Sequence, residues 1–308
     1  MRQEALETVH KMAKKDERIV FVGSDLGAGT LLQMQKELPN QFFMEGISEQ
    51  HIIGFCAGLA ELGFVPYVNT IANFFARRAY EQIAVDLCLH NYPVRILASG
   101  GGMVYAPLGP THTAIEDLAL MLSIPGLKVF APADSSEMRN ILHASANDPS
   151  PWYIRFGKGG EPIVTRENDD PFVPKIFGGP ECEVLLITTG ITLHNALAAS
   201  EKLALEGISC STVHISFLND LVLESWLHLY DSAISSIVLE EHIPKGGLFT
   251  QILHEFHTRG LSAQKLSQVS LPFEFPQKYG TQQEHLEYHG FGKDSVADRV
   301  NRLLGRKG

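Results

Sequence analysis

The feature that most constrains this chain is a pair of strand–helix alternations separated by a stretch rich in glycine and proline. In the first, short apolar runs end in small or polar residues. They are Arg18-Ile19-Val20-Phe21-Val22-Gly23, Phe42-Phe43-Met44, Val65-Pro66-Tyr67-Val68, Val94-Arg95-Ile96-Leu97-Ala98, Leu127-Lys128-Val129-Phe130 and Trp152-Tyr153-Ile154-Arg155. Residues 3–14 read as a leading helix, and apolar residues recur at helical spacing over 49–62, 73–90, 115–123 and 135–146. Strands apolar on both faces need cover on both, as a parallel sheet between helices provides. Residues 157–180 show no periodicity and read as a connection. A second alternation follows, with strands over 184–190, 210–215, 237–242 and 266–271 and helices over 192–206, 221–230, 247–258 and 294–304. The expected class is α/β, with two doubly wound, mostly parallel-sheet domains over 1–165 and 181–308, joined by a linker at 166–180.

A length of 308 residues is enough for two such cores. The net charge of -10 and the lack of a Lys/Arg run argue against a nucleic-acid partner. No apolar stretch reaches membrane-spanning length, and the first six residues lack the apolar core of a signal peptide. Cys56, Cys88, Cys182 and Cys210 fit no zinc spacing and read as buried thiols of a cytoplasmic protein. Among 13 histidines, His285 and His289 stand at i, i+4 but lack a third ligand nearby, so no metal site is expected on this chain.

Open parallel sheets bind ligands beyond the carboxyl ends of their strands. Polar residues cluster there: Ser24-Asp25, Glu45 to Glu49, Asn69-Thr70, Ser99 to Gly102 and Arg155. Glu49 opens an apolar helix with Ile52, Phe55, Cys56 and Leu59 on its core face. Gly54 and Gly58 on another face each cost about 1 kcal/mol of helix propensity, which signals a second backbone passing close by. Glu49 reads either as a capping-box residue after Gly46 or Ser48, or as a catalytic carboxylate. Gly100-Gly101-Gly102 lacks the Lys-Ser/Thr of a phosphate loop and reads as a flexible connection. His112 sits in the long loop that follows, where structural and functional roles both stand. Phe74-Phe75 read as core aromatics or as a face for a planar ligand. Arg155 suits an anion or a surface ion pair.

These residues carry a resemblance. The chain resembles the C-terminal section of thiamine-diphosphate-dependent transketolases and of the related deoxyxylulose-phosphate synthases. The blocks are Gly46-Ile47-Ser48-Glu49-Gln50, Phe75-Ala76-Arg77-Arg78-Ala79-Tyr80-Glu81-Gln82-Ile83, Gly109-Pro110-Thr111-His112 with Ile115-Glu116-Asp117, and Val238-Leu239-Glu240-Glu241-His242 with Gly246-Gly247. The resemblance implies that Glu49 hydrogen-bonds N1′ of the cofactor's aminopyrimidine. It implies that Phe75 stacks on that ring with Phe74 beside it, and that Asp25 and Leu26 flank the cofactor. His112 would face the reacting carbon, and Arg2 and Arg155 would hold a substrate phosphate. Glu49 would share its proton with N1′, so that the ring's amino nitrogen can act as the base.

The chain also departs from the family pattern. Ser99 stands where transketolases carry a substrate histidine, Leu108 where Asp is usual, and Gly29 where a serine helps hold phosphate. A site with fewer hydrogen-bonding groups should favour a less polar substrate. The family holds the diphosphate and Mg²⁺ with a Gly-Asp-Gly motif, which does not occur here. The resemblance therefore implies the C-terminal subunit of a split transketolase-like enzyme, transferring a two-carbon ketol unit from a ketose to an aldehyde. The partner expected is an N-terminal subunit carrying the diphosphate and Mg²⁺ site, with two copies of each chain in a heterotetramer. The alternatives are a deoxyxylulose-phosphate-synthase-like enzyme, the beta subunit of a 2-oxoacid dehydrogenase, and a non-catalytic scaffold subunit.

Overall fold

The computed structural model describes residues 1–24 and 31–306. Its first half runs α1 (Arg2–Ala13), β1 (Ile19–Gly23), α2 (Leu32–Glu37), β2 (Phe42–Met44), α3 (Glu49–Glu61) and β3 (Val65–Ile71). It continues with α4 (Ala72–Arg78), α5 (Tyr80–Gln82), a π-helical turn over Ile83–Cys88, β4 (Arg95–Ser99), α6 (Asp117–Leu122), β5 (Lys128–Phe130), α7 (Ser135–Ser145) and β6 (Trp152–Phe156). The six strands form one parallel sheet in the order β2-β1-β3-β4-β6-β5. The long apolar runs bury every residue of β1, β3, β4 and β6, as strands covered by helices on both faces must.

The second half runs β7 (Lys175–Phe177), β8 (Val184–Thr188), α8 (Thr192–Leu205), β9 (Cys210–His214), α9 (Leu227–Ser232), β10 (Ser235–Glu240), α10 (Leu248–Thr258), β11 (Leu266–Ser270), α11 (Gln282–Tyr288) and α12 (Lys293–Leu303). Its sheet order is β11-β10-β8-β9-β7, parallel except for β7, which runs antiparallel to β9. The two α/β sheets match the expected class. The stretch expected to be a linker contains β7, an edge strand of three residues whose Ile176 is exposed. Helix α11 lies where no helix was expected; a capping box between Thr281 and Glu284 starts it.

The strand order places two crevices at the carboxyl end of the first sheet, where the direction of winding reverses. One lies between β1 and β3, and the loop carrying Glu49 and helix α4 leave the sheet beside it. The other lies between β4 and β6 and is filled by the second half of the chain. Met103 N–H donates to the Glu241 carboxylate at 2.8 Å, and Arg155 donates to the Glu241 carbonyl at 2.8 Å. The halves also share an aromatic cluster of Phe130, Trp152, Phe172 and Phe217. A fully buried carboxylate, Glu137, meets His214 and Lys175 across the same seam.

Candidate active site

Helix α4 is the platform of the site. Its apolar residues Ala72, Phe75 and Ala76 are buried, and Ala79 and Ile83 continue that stripe into the core. Its other face carries Asn73, Phe74, Arg77 and Arg78. Asn73 donates to the Thr111 carbonyl, and Arg77 pairs with Glu116 and reaches the Pro110 carbonyl at 3.4 Å. These bonds fix the loop that carries His112. The His112 ring packs edge-on against Phe74 with centroids 5.2 Å apart, and its Nδ1 lies 2.9 Å from the Thr111 hydroxyl.

Glu49 begins α3 and is 4% exposed. Its Oε2 accepts from Arg78 Nη1 at 3.1 Å, and the Arg78 guanidinium lies 4.0 Å over the Phe74 ring. Its Oε1 is buried with no hydrogen-bond partner among the described residues. The capping-box reading does not hold. Ser48 makes no side-chain cap bond, and its hydroxyl donates to the Glu45 carbonyl at 3.4 Å. A depression of about 480 Å³, lined by Ser48, Glu49, Gln50, His51, Arg77 and Arg78, opens here. Leaving a carboxylate oxygen buried and unmatched costs roughly 1–3 kcal/mol or more, which a ligand at Glu49 would recover. A ring nitrogen that shares a proton with Oε1 satisfies that oxygen, so the residues present fit the aminopyrimidine that the resemblance implies.

Several expectations need correction. Phe75 is fully enclosed in the core, so neither of its faces is open, whereas Phe74 is half-buried and touches His112 and Arg78. Ser99 is fully buried and spends its hydroxyl on the Thr70 carbonyl at 3.1 Å, which leaves nothing for a substrate. Arg155 forms no surface ion pair. It is 5% exposed, its Nε lies 3.3 Å from Asp117 Oδ2, and its Nη2 reaches the Ala114 and Glu241 carbonyls. Its guanidinium is thus committed to the seam between the halves rather than open to a phosphate. Arg2 is half-buried beside Met1, whose amino group pairs with Glu161 at 3.2 Å, and it makes no ion pair among the described residues. Asp25, Leu26 and Gly29 lie outside the described residues.

The glycine-rich loop is packed rather than flexible. A Cβ on Gly101 would meet the Arg155 side chain at 2.2 Å, and one on Gly102, at φ +65°, would meet the Glu241 carboxylate at 2.2 Å. The Glu240-Glu241-His242 run is likewise structural. Glu240 accepts from the first N–H groups of α10, Leu248 at 2.7 Å and Phe249 at 3.2 Å, and burial raises it to about 7. Burial also raises Glu241, opposed by Arg155, and lowers His242 to about 3. Gly54 and Gly58 meet no backbone within this chain; both are exposed. All four cysteines are free, and burial raises the Cys88 and Cys210 thiols to about 12. Among the described residues no group of three or more His, Cys, Asp or Glu could hold a metal ion, and no helix is long and apolar enough to cross a membrane.

Sequence reasoning missed Arg78. It stands four residues after Phe74, on one helical face, and that spacing brings the two side chains into contact. It also missed Asp117 and Glu241 as partners of Arg155, contacts between residues far apart in the chain.

With this geometry in place, the lineage of the chain follows. The transketolase pyrimidine-binding domain family matches residues 1–161, and the transketolase C-terminal domain family matches residues 178–296. The chain belongs to the transketolase family and consists of its pyrimidine-binding and C-terminal domains. It is 31% identical over 306 residues to 1-deoxy-D-xylulose-5-phosphate synthase 1 of Geobacter sulfurreducens, covering 98% of this chain and 48% of that protein. It is 32% identical to the 1-deoxy-D-xylulose-5-phosphate synthase of Syntrophus aciditrophicus, covering 96% of this chain and 46% of that protein. The chain thus spans about half the length of these relatives. A structure described as a split-gene transketolase in an inactive beta4 tetramer superposes with a TM-score of 0.86 at 28% identity, covering 100% of this chain and 98% of that one. A transketolase variant from Pichia stipitis, 16% identical with a TM-score of 0.78, shares the fold over 98% of this chain and 46% of its own.

Proposed function

We propose that this chain is the pyrimidine-binding part of a thiamine-diphosphate-dependent ketol transferase and works with a separate chain that holds the diphosphate and Mg²⁺. The observation that carries this reading is the buried, unmatched Oε1 of Glu49 at the start of α3. When bound, thiamine diphosphate supplies the ring carbon that attacks a ketose carbonyl and holds electron density while a carbon–carbon bond breaks. Glu49 would present Oε1 to the ring nitrogen, so that the proton between them is shared. Phe74 and His112 present an aromatic face and an imidazole beside it, with His112 placed by Thr111 and Asn73 to exchange a proton with substrate oxygen. Arg2 remains available for an anionic group on the substrate, whereas Arg155 serves the seam.

The need for a second chain is supported by the end-to-end likeness to the split-gene transketolase chain and by the lack of a Gly-Asp-Gly sequence in these residues. Two copies of each chain are proposed, with the exposed Gly54 and Gly58 face of α3 as one contact between copies. A second reading, a synthase of 1-deoxy-D-xylulose 5-phosphate type, is favoured by the 31% and 32% identities to such enzymes. It uses the same Glu49 site. Product analysis of the reconstituted complex separates the two, by ketol transfer to an aldose or by formation of the deoxy sugar phosphate.

Glu49→Gln tests the site itself. Ketol transfer should fall roughly 10²–10⁴-fold, the usual worth of a general acid–base group, while the fold is kept. Near-normal turnover by that variant would refute the assignment.

A further inference from the structure

We propose that Arg78 is the positioning residue of Glu49: it holds one carboxylate oxygen and thereby leaves the other as the single oxygen presented to the ring nitrogen of the cofactor. This rests on the function proposed above.

The terminal torsion of a glutamate is soft, so a carboxylate with neither oxygen held samples many orientations. Here Arg78 removes that freedom. Its Nη1 lies 3.1 Å from Oε2, and its guanidinium is stacked 4.0 Å above the Phe74 ring. A planar guanidinium can stack on a ring with its face and bond a carboxylate with its edge at the same time, which an ammonium cannot. Phe74 is in turn braced by His112, so the chain of contact runs from the substrate histidine to Glu49 through two planar groups. Oε1 is left buried without a partner among the described residues.

Among the described residues no other charged side chain nearby competes for this role. Arg77 is held by Glu116, and His51 lies 3.5 Å from Glu45. Arg78 is half exposed, so its replacement leaves the hydrophobic core untouched.

The test uses the full chain and a ligand that probes only the ring. Ligand-detected NMR titrations compare 4-amino-2,5-dimethylpyrimidine with the matching aminopyridine that has a C–H in place of N1. The wild type should prefer the pyrimidine by roughly tenfold or more, the worth of one hydrogen bond to a charged group. Arg78→Gln should bring that preference within about threefold while binding of the aminopyridine, which cannot engage Glu49, stays unchanged. In a Glu49→Gln background, Arg78→Gln should change nothing further, because the two residues act as one unit. Arg78→Lys keeps the charge without the planar fork and should fall between wild type and Arg78→Gln; it also serves should Arg78→Gln fold poorly.

Equal weakening of both ligands by Arg78→Gln would show a merely structural role and overturn the proposal. So would additive effects of the two substitutions. If the wild type shows no preference for the pyrimidine, the functional reading itself fails and the proposal falls with it.

Discussion

Glu137→Gln is the substitution that most directly probes how the two halves are held together. Glu137 sits in the first turn of α7 and is fully buried. Its Oε1 lies 2.7 Å from Lys175 Nζ on β7, and its Oε2 lies 2.9 Å from His214 Nε2 on β9 and accepts from Ala133 N–H at 2.7 Å. Burial opposes ionisation, but His214 and Lys175 outweigh it and hold the carboxyl well below the ordinary carboxylate range. Glutamine keeps the shape and removes the charge, which leaves Lys175 uncompensated. Breaking one side of a buried ion pair costs about 3–5 kcal/mol. At about 2.1 cal/mol/K of unfolding entropy per residue, a chain of 308 residues loses roughly 1.5 °C of Tm per kcal/mol, so a drop of roughly 5–8 °C is expected at pH 7.

The pH dependence has a definite sign. A carboxyl whose folded pKa is depressed contributes stability that is present above its unfolded value of about 4.3 and is lost as pH falls toward the folded value. The gap between wild type and Glu137→Gln should therefore be constant near neutrality and narrow below about pH 4. Adding Lys175→Met should recover part of the loss, since it removes the stranded ammonium. Thermal and urea unfolding over a pH series measure all three effects. A loss under about 1 kcal/mol, or a gap that does not narrow in acid, would show that the carboxylate is solvated and the reasoning wrong.

Two other outcomes follow from the same structure. Glu240, raised to about 7 by burial, favours folding below its unfolded value of about 4.3 and loses that advantage as pH rises toward 7. Urea midpoints of wild type should decline over that window relative to Glu240→Gln, and parallel slopes would contradict the assignment. Ser99 is enclosed and Leu108 is exposed, at the two positions where the resemblance implies polar substrate contacts. The reconstituted enzyme should use ribose 5-phosphate poorly as acceptor, and steady-state rates typical of full-length transketolases would show that these changes are harmless.

Most of the strand framework was legible because each run is apolar on both faces, a pattern that parallel sheets require. Strand β7 was not, since three residues at a partly exposed edge carry no period. The place of Glu49 at the start of α3 was legible from the strand end and the apolar helix on either side of it. The burial of Phe75 was legible too, since the spacing of Ala72, Phe75, Ala76, Ala79 and Ile83 marks it as core, whatever ring the resemblance assigns to the cofactor. Arg155 reads as a free strand-end cation until Asp117 and the Glu241 carbonyl, distant in sequence, close around it. The glycines of the 100–102 loop gave the wrong impression for a related reason. The side chains that demand them, Tyr105, Arg155 and Glu241, come partly from other elements.

On the function proposed above, these residues supply the pyrimidine side of a cofactor site whose diphosphate side lies on another chain. Calorimetry with thiamine diphosphate and Mg²⁺ tests it, performed on this chain alone and after addition of a diphosphate-binding partner. Weak binding, insensitive to magnesium, is expected for the chain alone, and tight magnesium-dependent binding only for the mixture, weakened by Glu49→Gln. Tight, magnesium-dependent binding by the single chain would contradict it.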